Sequence, residues 1–549
     1  MSQLNPIYNT HQVRLSLVEV LTLANDRPFG CAVIVLISVV LLYVFRRFLL
    51  PSAYPNIDGP PSKNVLSGHI FDVYSPHNLA FHDTLQDKYG SVAKLKGSLG
   101  REDLYVSDPR FLHEVLVKQV HTVFRHPQSF YEIMAASFGL GLLATTGELH
   151  RAQRKTTTFD VIAQNLKDAI TKDIDGAEWK EIDMLLWCSR AALELIGQAG
   201  LGHTFGVLQG VESEYSHAIK NFNPALAEVT PFLPFFSLIY RYVPTAIQRK
   251  LAEWAPSAPA RKLKEIVDIQ DKQAQEILTR KREALQNRGT SDDMHDIMSV
   301  LLRANLEADE ADRLPEEQLL GQMNLLIEAG HETTSGALAR ILQILSSNLS
   351  LQDKLRTELQ EAPPIMSYEE LNNLPFLDAL CRETLRLYAP VPLTEREALK
   401  DCVVPLRYPL TGKDGSTINE IHVKKGTRIY VGLKEANRCK ETWGEDADEF
   451  KPERWLDDLP DSVREAKTSG VYSSMMSFSA GPRACIGFKF SLLELKMLLS
   501  MLIKSFKFTP GSTQVKWLSC VTMVPYPEET TDCIADGRQP YMPLKVTVL

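Results

Sequence analysis

The longest helical periodicity in this chain lies between Pro315 and Asn348. Pro315 suits the first position of a helix, where the N–H that proline lacks would have no partner. At 1.5 Å per residue, one helix over this segment would be about 50 Å long. Its repeating apolar or small residues are Leu319, Leu320, Met323, Leu326, Ile327, Gly330, Thr334, Leu338, Ile341, Leu342 and Leu345.

The middle of this predicted helix conflicts with helix propensity. Residues 329–334 read Ala-Gly-His-Glu-Thr-Thr. A central Gly costs about 1 kcal/mol, and Thr hydroxyls can bond backbone carbonyls. Because natural sequences break local rules mainly where function requires it, this segment is a candidate functional site.

Helical periodicity also dominates the rest of the chain after about Ser62, whereas strand-like pieces are short. Such pieces lie at Val92–Leu95, Leu104–Ser107 and Arg428–Gly432. With 549 residues the chain is long enough for a large core. We therefore expect a mainly α (α+β) fold, with a large helical domain and a smaller β-rich part.

Composition excludes some functions. Hydrophobic residues make up 44% and charged residues 23%, as in ordinary globular proteins, and the net charge of −8 disfavours a nucleic-acid partner. The cysteines form no C-x-x-C pair, and no His-rich cluster has zinc spacing. We expect free thiols in a reducing compartment. They are Cys31, Cys188, Cys381, Cys402, Cys439, Cys485, Cys520 and Cys533.

The N-terminal region contains an uncharged apolar run, Phe29–Phe45, bracketed by charged residues. Its length of about 26 Å as a helix suits a thin bilayer, so residues 29–45 are predicted to be a single transmembrane anchor. A cleavable signal peptide is the alternative, but a basic pair and Pro51 follow instead of a small-residue cleavage site. Residues 1–28 form an N-terminal arm and residues 46–61 a Pro-rich linker that we expect to be a semi-rigid spacer. Residues 62–549 then form the main domain.

One cysteine lies in a distinctive loop. Residues 478–487 read Phe-Ser-Ala-Gly-Pro-Arg-Ala-Cys-Ile-Gly. Gly481 and Gly487 allow a tight, partly left-handed loop that can approach a planar cofactor, and Arg483 offers a charged fork for an acidic group. This pattern is typical of a thiolate on haem iron, although a buried structural cysteine is the alternative.

The spacing F-x-x-G-x-R-x-C-x-G resembles the haem-binding signature of the cytochrome P-450 family. This resemblance implies that Cys485 is the axial ligand of the iron of haem b, with Phe478, Gly481, Arg483 and Gly487 around it. Matching motifs extend over about Gly59 to Pro543, so the cytochrome P-450 fold is expected.

Residues 329–334 resemble the family's oxygen-activation motif, in which an acid and an alcohol lie side by side in a helix that crosses the haem. The resemblance implies that Glu332 relays protons and that the Thr333 hydroxyl holds the reacting oxygen by a hydrogen bond. An exposed Glu and a Thr of a core helix would be the alternative.

Other motifs resemble structural and haem-binding parts of the family. Glu383 and Arg386 lie three apart on one helix face, and Arg454 matches the arginine that joins this pair as a structural constraint. An isolated surface ion pair is the alternative.

Cations for the two haem propionates are implied at Arg483, Arg396 and the pair His150 and Arg154. The pair matches the family's W-x-x-x-R motif with His in place of Trp. For each Arg alone, a solvated charge is the alternative.

The resemblance further implies a membrane-anchored monooxygenase of the endoplasmic reticulum, with a lumenal N-terminus and a cytosolic catalytic domain. It would draw NADPH electrons through a separate reductase. A basic patch of Arg151, Arg154, Lys155 and Lys489 suits reductase docking, and ordinary solvated charge fits it equally well.

The substrate is expected to be an apolar small molecule. His150 and residues 443–455 look like fungal, particularly basidiomycete, members, which favours a terpenoid-like substrate of secondary metabolism. Segments 129–143, 324–334, 391–394 and 519–524 are predicted to line an apolar pocket.

Several functions stay open at this point. A fatty-acid or xenobiotic hydroxylase of the same family is the first alternative. A haem-thiolate isomerase or dehydratase tends to lack the acid–alcohol pair, so Glu332 and Thr333 count against it. In a non-enzymatic haem sensor, that pair would have no purpose.

Overall fold

The computed structural model describes residues 51–531 and 539–549, except positions 63, 65, 121, 141–142, 144–161, 212, 289–295, 309–312 and 364–365. The predicted arm at 1–28, the predicted anchor at 29–45 and the first residues of the predicted linker lie outside the described residues. Within the described ranges, no helix combines the length and the apolar character needed to cross a bilayer.

Helices dominate the described part of the chain, as the periodicity predicts. The α-helices are α1 (Ile70–Tyr74), α2 (Leu79–Tyr89), α3 (Pro109–His113), α4 (Gln128–Phe138), α5 (Ile162–Ile174), α6 (Met184–Leu195), α7 (Glu214–Ile219), α8 (Phe222–Val229), α9 (Leu233–Tyr242), α10 (Thr245–Glu253), α11 (Ala258–Arg288), α12 (Ile297–Glu307), α13 (Glu316–Ser347), α14 (Leu349–Glu361), α15 (Tyr368–Asn372), α16 (Pro375–Leu387), α17 (Leu433–Ala436), α18 (Lys440–Trp443), α19 (Asp461–Ala466) and α20 (Phe488–Ser505).

The long helix predicted from Pro315 is α13, and its observed bounds differ from the prediction by one residue at each end. Pro315 is the N-cap, and Asn348 caps the next helix by accepting a hydrogen bond from the Leu351 N–H at 3.2 Å. The helix continues through the Gly-His-Glu-Thr-Thr segment without interruption. Tertiary packing therefore overrides the poor local propensity.

The strands form small sheets. They are β1 (Val92–Lys96), β2 (Glu102–Val106), β3 (Phe124–Arg125), β4 (Trp179–Asp183), β5 (Leu393–Ala398), β6 (Cys402–Thr411), β7 (Thr417–Val423), β8 (Arg428–Gly432), β9 (Gly470–Tyr472), β10 (Met475–Ala480), β11 (Phe506–Pro510), β12 (Val515–Cys520), β13 (Thr522–Pro527) and β14 (Pro543–Val548). The largest sheet has the order β1-β2-β8-β5-β3, and only its β2–β8 pair is parallel. The three predicted strands are confirmed as β1, β2 and β8.

Two hydrophobic cores meet at β10. The larger core is built by α13, α16, α20 and their neighbours, and the smaller one surrounds the largest sheet. Met475 packs into the helical core, whereas the adjacent Met476 and the later Ala480 pack into the core of the sheet. The loop that follows β10 carries Cys485, so the junction of the two cores positions this cysteine.

The described part of the predicted linker is docked on the sheet. Tyr54 and Ile57 are buried in the smaller core, and the Lys94 N–H donates to the Asp58 carbonyl at 2.7 Å. A Cβ added to Gly59 would lie 1.9 Å from the Lys94 carbonyl oxygen, so glycine is required for this close approach. Tyr54, Ile57 and Gly59 therefore hold this part of the predicted linker against the sheet.

Candidate active site

The cysteine loop connects β10 to α20. The Cys485 N–H donates to the Phe478 carbonyl at 2.9 Å, and the Phe478 and Phe488 rings lie 6.1 Å apart. A register shift within β10 bulges the strand, and a short 3-10 turn at Gly481–Arg483 follows. Bulges commonly re-aim side chains next to functional sites. The loop thus holds Cys485 just before the N-terminus of α20, where the helix dipole favours negative charge.

The two glycines of this loop serve different purposes. Gly481 has φ = 64°, and a Cβ there would lie 2.3 Å from the Leu116 carbonyl oxygen. The prediction of a left-handed backbone therefore holds at Gly481. It does not hold at Gly487, the N-cap of α20, where φ is −91° because the chain is entering the helix. A Cβ added to Gly487 would meet no atom within 4 Å, which leaves open space beside the cysteine loop.

Cys485 differs from most of the cysteines that the structure describes. All of these are free thiols, and only Cys485 and Cys402 are partly exposed. Burial raises the pKa of Cys381 and of Cys439 to about 12, so these thiols stay protonated and cannot act as thiolate ligands. Cys402 lies on β6, and burial raises the pKa of its thiol. Cys485 is therefore the best candidate for a metal-binding thiolate.

In the middle of α13, one stripe of residues is exposed or partly exposed, whereas most of the residues around it are buried. Ala329 is exposed, and Leu326, Gly330 and Thr333 are partly exposed, whereas Ile327 is fully buried. The open residues share one helix face because they follow the i, i+3, i+4, i+7 spacing. The Thr333 hydroxyl donates to the Ala329 carbonyl at 2.7 Å. This stripe is the wall that a ligand could contact.

Glu332 lies at the border of this stripe and is nearly buried, with 12% of its side chain exposed. Burial raises the pKa of Glu332 to about 8, and a hydrogen bond with Asn223 acts in the opposite direction. Glu332 therefore holds a proton at neutral pH. Burial also lowers the pKa of the neighbouring His331 to about 4, so its 3.5 Å contact with Glu332 joins two neutral groups.

Asn223, on α8, is a site residue that sequence reasoning missed. Its amide donates to the Thr522 hydroxyl at 3.2 Å as well as bonding Glu332. It thus connects the acid on α13 to the hairpin of β12 and β13. Contacts between segments so distant in the chain leave no local pattern, so no motif could have indicated this residue.

A group of buried basic side chains forms a second part of the site. Arg396 is 1% exposed, and its Nη1 lies 3.2 Å from Nδ1 of His126. Burial is the main cause that lowers the pKa of Arg396 to about 10. Nearby Tyr131 acts to raise this pKa, and the charge of Arg483 acts to lower it. Burial and both arginines hold the pKa of His126 well below its usual range. The guanidinium of Arg483 also lies 5.8 Å from the centre of the Tyr131 ring.

The buried cation Arg396 and the half-buried cation Arg483 fit an anionic cofactor. Nε of Arg396 has no hydrogen-bond partner, and the described residues include no carboxylate that forms a salt bridge with Arg396. Glu395 points instead to Tyr74 and Arg428. Burying an uncompensated charge is costly. The two carboxylates of haem would compensate it, and Gly487 leaves space near Cys485, so the residues present fit haem b.

The predicted structural triad is brought together. Arg386 and Glu383 are fully buried and form a bidentate pair at 2.8 and 2.9 Å, and Trp455 also donates to Glu383 at 2.9 Å. Arg454 approaches Glu383 at 3.5 Å and bonds Asp446 more closely, at 3.1 Å. Asp446 is therefore a fourth member that the motif did not indicate.

Some predicted residues lie outside the described ranges. These are His150 and Arg154, together with Arg151 and Lys155 of the predicted basic patch. Lys489 is described and exposed.

Two polar residues predicted in the pocket segments have other partners. The Asn324 amide donates to Asp271 on α11 at 3.1 Å, and the Thr394 hydroxyl accepts from Arg396 at 3.1 Å. The amide nitrogen of Asn324 is thus held by Asp271, whereas the Thr394 hydroxyl keeps its own proton to donate.

Known proteins resemble this chain over most of its length. Residues 59–530 match the family model described as Cytochrome P-450. The chain is 41% identical to cytochrome P-450 monooxygenase 91 of Postia placenta, over 92% of this chain and 97% of that protein. It is 38% identical to a ganoderic acid synthetase of Ganoderma lucidum, over 92% of this chain and 96% of that protein. A third relative is a monooxygenase of Hericium erinaceus, which is 30% identical over 96% of this chain.

Proposed function

The chain belongs to the cytochrome P-450 family and is a monooxygenase, and from this we propose that it oxidises a bulky, apolar, terpenoid-like molecule of fungal secondary metabolism. One oxygen atom of O₂ enters the substrate and the other becomes water. The observation that supports the proposal best is the open stripe of α13, which places Thr333 beside the protonated Glu332.

The residues present divide the chemistry among them. Cys485 would hold the iron of haem b through its thiolate sulfur, and Arg396, Arg483 and His126 would face its propionates. When bound, haem supplies the activation of dioxygen. Glu332 holds a proton at neutral pH and can pass it toward the stripe, while Thr333 can turn its hydroxyl from the Ala329 carbonyl toward the stripe and donate a hydrogen bond there.

The expected substrate class follows from the apolar surroundings. Phe138 and Leu325 of α13 belong to one apolar cluster, and Leu143 packs against it. The adjacent Leu326 is partly exposed on the stripe. Apolar walls of this kind favour binding by about 25 cal/mol for each Å² of apolar surface that the substrate buries against them. The similarity to a ganoderic acid synthetase supports a terpenoid-like compound over a fatty acid or a xenobiotic.

The electron source and the location are part of the same proposal. NADPH would supply electrons through a separate reductase, for which exposed Lys489 offers one docking charge. The anchor at 29–45 would hold the domain at the cytosolic face of the endoplasmic reticulum. Exposed apolar side chains on α9, on α10 and just after α10, namely Tyr242, Ile247 and Trp254, support contact with a membrane surface.

Feeding a host that expresses this chain with a reductase tests the proposal. Candidate di-, sesqui- and triterpenes and long-chain fatty acids are supplied, and products are identified by mass spectrometry and NMR. Glu332→Gln is the matched control, since it keeps the shape of the side chain and removes the acid. A hydroxylated terpenoid that requires Glu332 supports the proposal, whereas oxidation of fatty acids alone contradicts it.

A further inference from the structure

A second carboxyl group lies one helical turn before Glu332 on α13. Glu328 is 5% exposed, and neither of its carboxyl oxygens has a hydrogen-bond partner. Residues four apart on a helix face the same side, so the two carboxyl groups are neighbours. Burial and then the proximity of Glu332 hold the pKa of Glu328 well above its usual range. A buried carboxylate without partners is costly, so Glu328 is also protonated at neutral pH.

No basic side chain of the described residues lowers the pKa of either carboxyl group, although Lys220 lines a cavity beside Glu332. Tyr215 of α7 faces Glu328, and its hydroxyl is likewise buried without a hydrogen-bond partner. His331 is neutral, with Nε2 lying 2.6 Å from the Ser189 hydroxyl of α6. Asn223 of α8 forms a hydrogen bond with Glu332 but not with Glu328. The pair is therefore stabilised in its protonated form.

Two cavities that share lining residues lie between Glu332 and the surface. The first, of about 30 Å³, is lined by Glu332, Ser189, Asp183 and Lys220. The second, of about 80 Å³, shares Ser189 and Lys220 with the first and reaches the exposed His217. Each is large enough for water with polar partners. Solvent protons can thus reach Glu332, whereas neither set of lining residues includes Glu328.

We infer that Glu328 is a positioning residue that stores a second proton for Glu332. This inference rests on the proposed monooxygenase function, in which each O₂ that is split consumes two protons. After Glu332 has delivered its proton, one of the two carboxyl groups rotates toward the other, since no hydrogen bond joins them at rest. The O–H bond of Glu328 then breaks as an O–H bond forms on the Glu332 carboxylate. No electron moves in this step. Between turnovers, water in the cavities refills both groups through Glu332.

Infrared titration of the purified haem-loaded full chain tests the inference without a substrate. The C=O absorption of protonated carboxyl groups is followed from neutral to alkaline pH in H₂O and D₂O. The wild type should lose two coupled signals, and Glu328→Gln should lose only one, because coupled acids titrate as a pair. Tyr215→Phe should shift the Glu328 signal and leave its number of protons unchanged.

Glu494 offers a matched control on α20. It is 1% exposed, both its oxygens lack partners, and burial alone raises the pKa of its carboxyl well above the usual range. Glu494→Gln should remove a separate signal and leave the coupled pair intact. The inference is overturned if Glu328→Gln changes neither the Glu332 signal nor its titration.

A second measurement links the stored proton to turnover. With reductase and NADPH, Glu328→Gln should increase several-fold the share of electrons recovered as hydrogen peroxide, because the second proton arrives late. Glu494→Gln should leave this share at the wild-type value. An unchanged peroxide share in Glu328→Gln would overturn the inference. The proposed function fails separately, through the absence of the thiolate spectrum or of any oxygenated product in the wild type.

Discussion

Replacing Gly481 by Ala should destabilise the protein even before haem binds. At φ = 64° an L-residue costs about 1–2 kcal/mol relative to glycine. The new Cβ would also lie 2.3 Å from the Leu116 carbonyl oxygen and 3.0 Å from the Val117 Cα, which are backbone atoms that cannot rotate away. Displacing packed backbone costs about 1–3 kcal/mol more. We therefore expect a loss of about 2–5 kcal/mol in the free energy of unfolding.

Gly487 provides the matched control from the same loop. Its φ of −91° suits any residue, and an added Cβ meets no protein atom within 4 Å. Gly487→Ala should therefore change the unfolding of the haem-free protein by at most about 0.5 kcal/mol. If the open space accommodates haem, the same variant should lower the haem content, because the new methyl group occupies that space.

The assay is guanidinium unfolding of the haem-free protein, followed by tryptophan fluorescence, with haem content measured in parallel. Gly481→Ala should lower the midpoint, and Gly487→Ala should lower haem occupancy alone. If the haem-free Gly481→Ala variant unfolds at the wild-type midpoint, the strain argument is refuted. Equal destabilisation by both substitutions would refute the separation of the two roles.

Other substitutions test the remaining parts of the site. Cys485→Ser should abolish the thiolate band of the reduced carbonyl complex, and a wild-type band at the position of a histidine-ligated haem would exclude Cys485 as the ligand. Thr333→Ala should retain haem and divert electrons to peroxide, and unchanged product per NADPH would argue against its role. Arg386→Lys should lose about 3–5 kcal/mol of stability in denaturant titrations, since it breaks a fully buried bidentate pair, and wild-type stability would contradict this. Product formation should fall as the pH rises through about 8, where Glu332 loses its proton, and Glu332→Gln should lack this decline.

Sequence patterns predicted features that depend on neighbours in the chain. The bounds of α13, the strand at Arg428–Gly432 and the left-handed Gly481 follow from periodicity and local backbone preference. The docking of residues 51–59 did not follow, because proline content indicates stiffness and carries no information about which surface the chain meets.

Contacts across the fold account for the other omissions. His126 lies beside Arg396 and Asn223 beside Glu332 only after distant helices and strands have packed. Likewise, the raised pKa of Glu332 results from burial that several elements create together. Motif spacing indicates which residue types are present, and packing decides their protonation.

The position of β10 between two cores has a consequence for how this protein would fail under stress. Adjacent residues Met475 and Met476 belong to different cores, so a loosened contact in either core shifts the strand that supports the Cys485 loop. The sulfur is thus mechanically coupled to both halves of the domain. We expect mild heating or denaturant to weaken the thiolate absorption before the helices melt, so that the absorption spectrum reports the first loss of packing at β10.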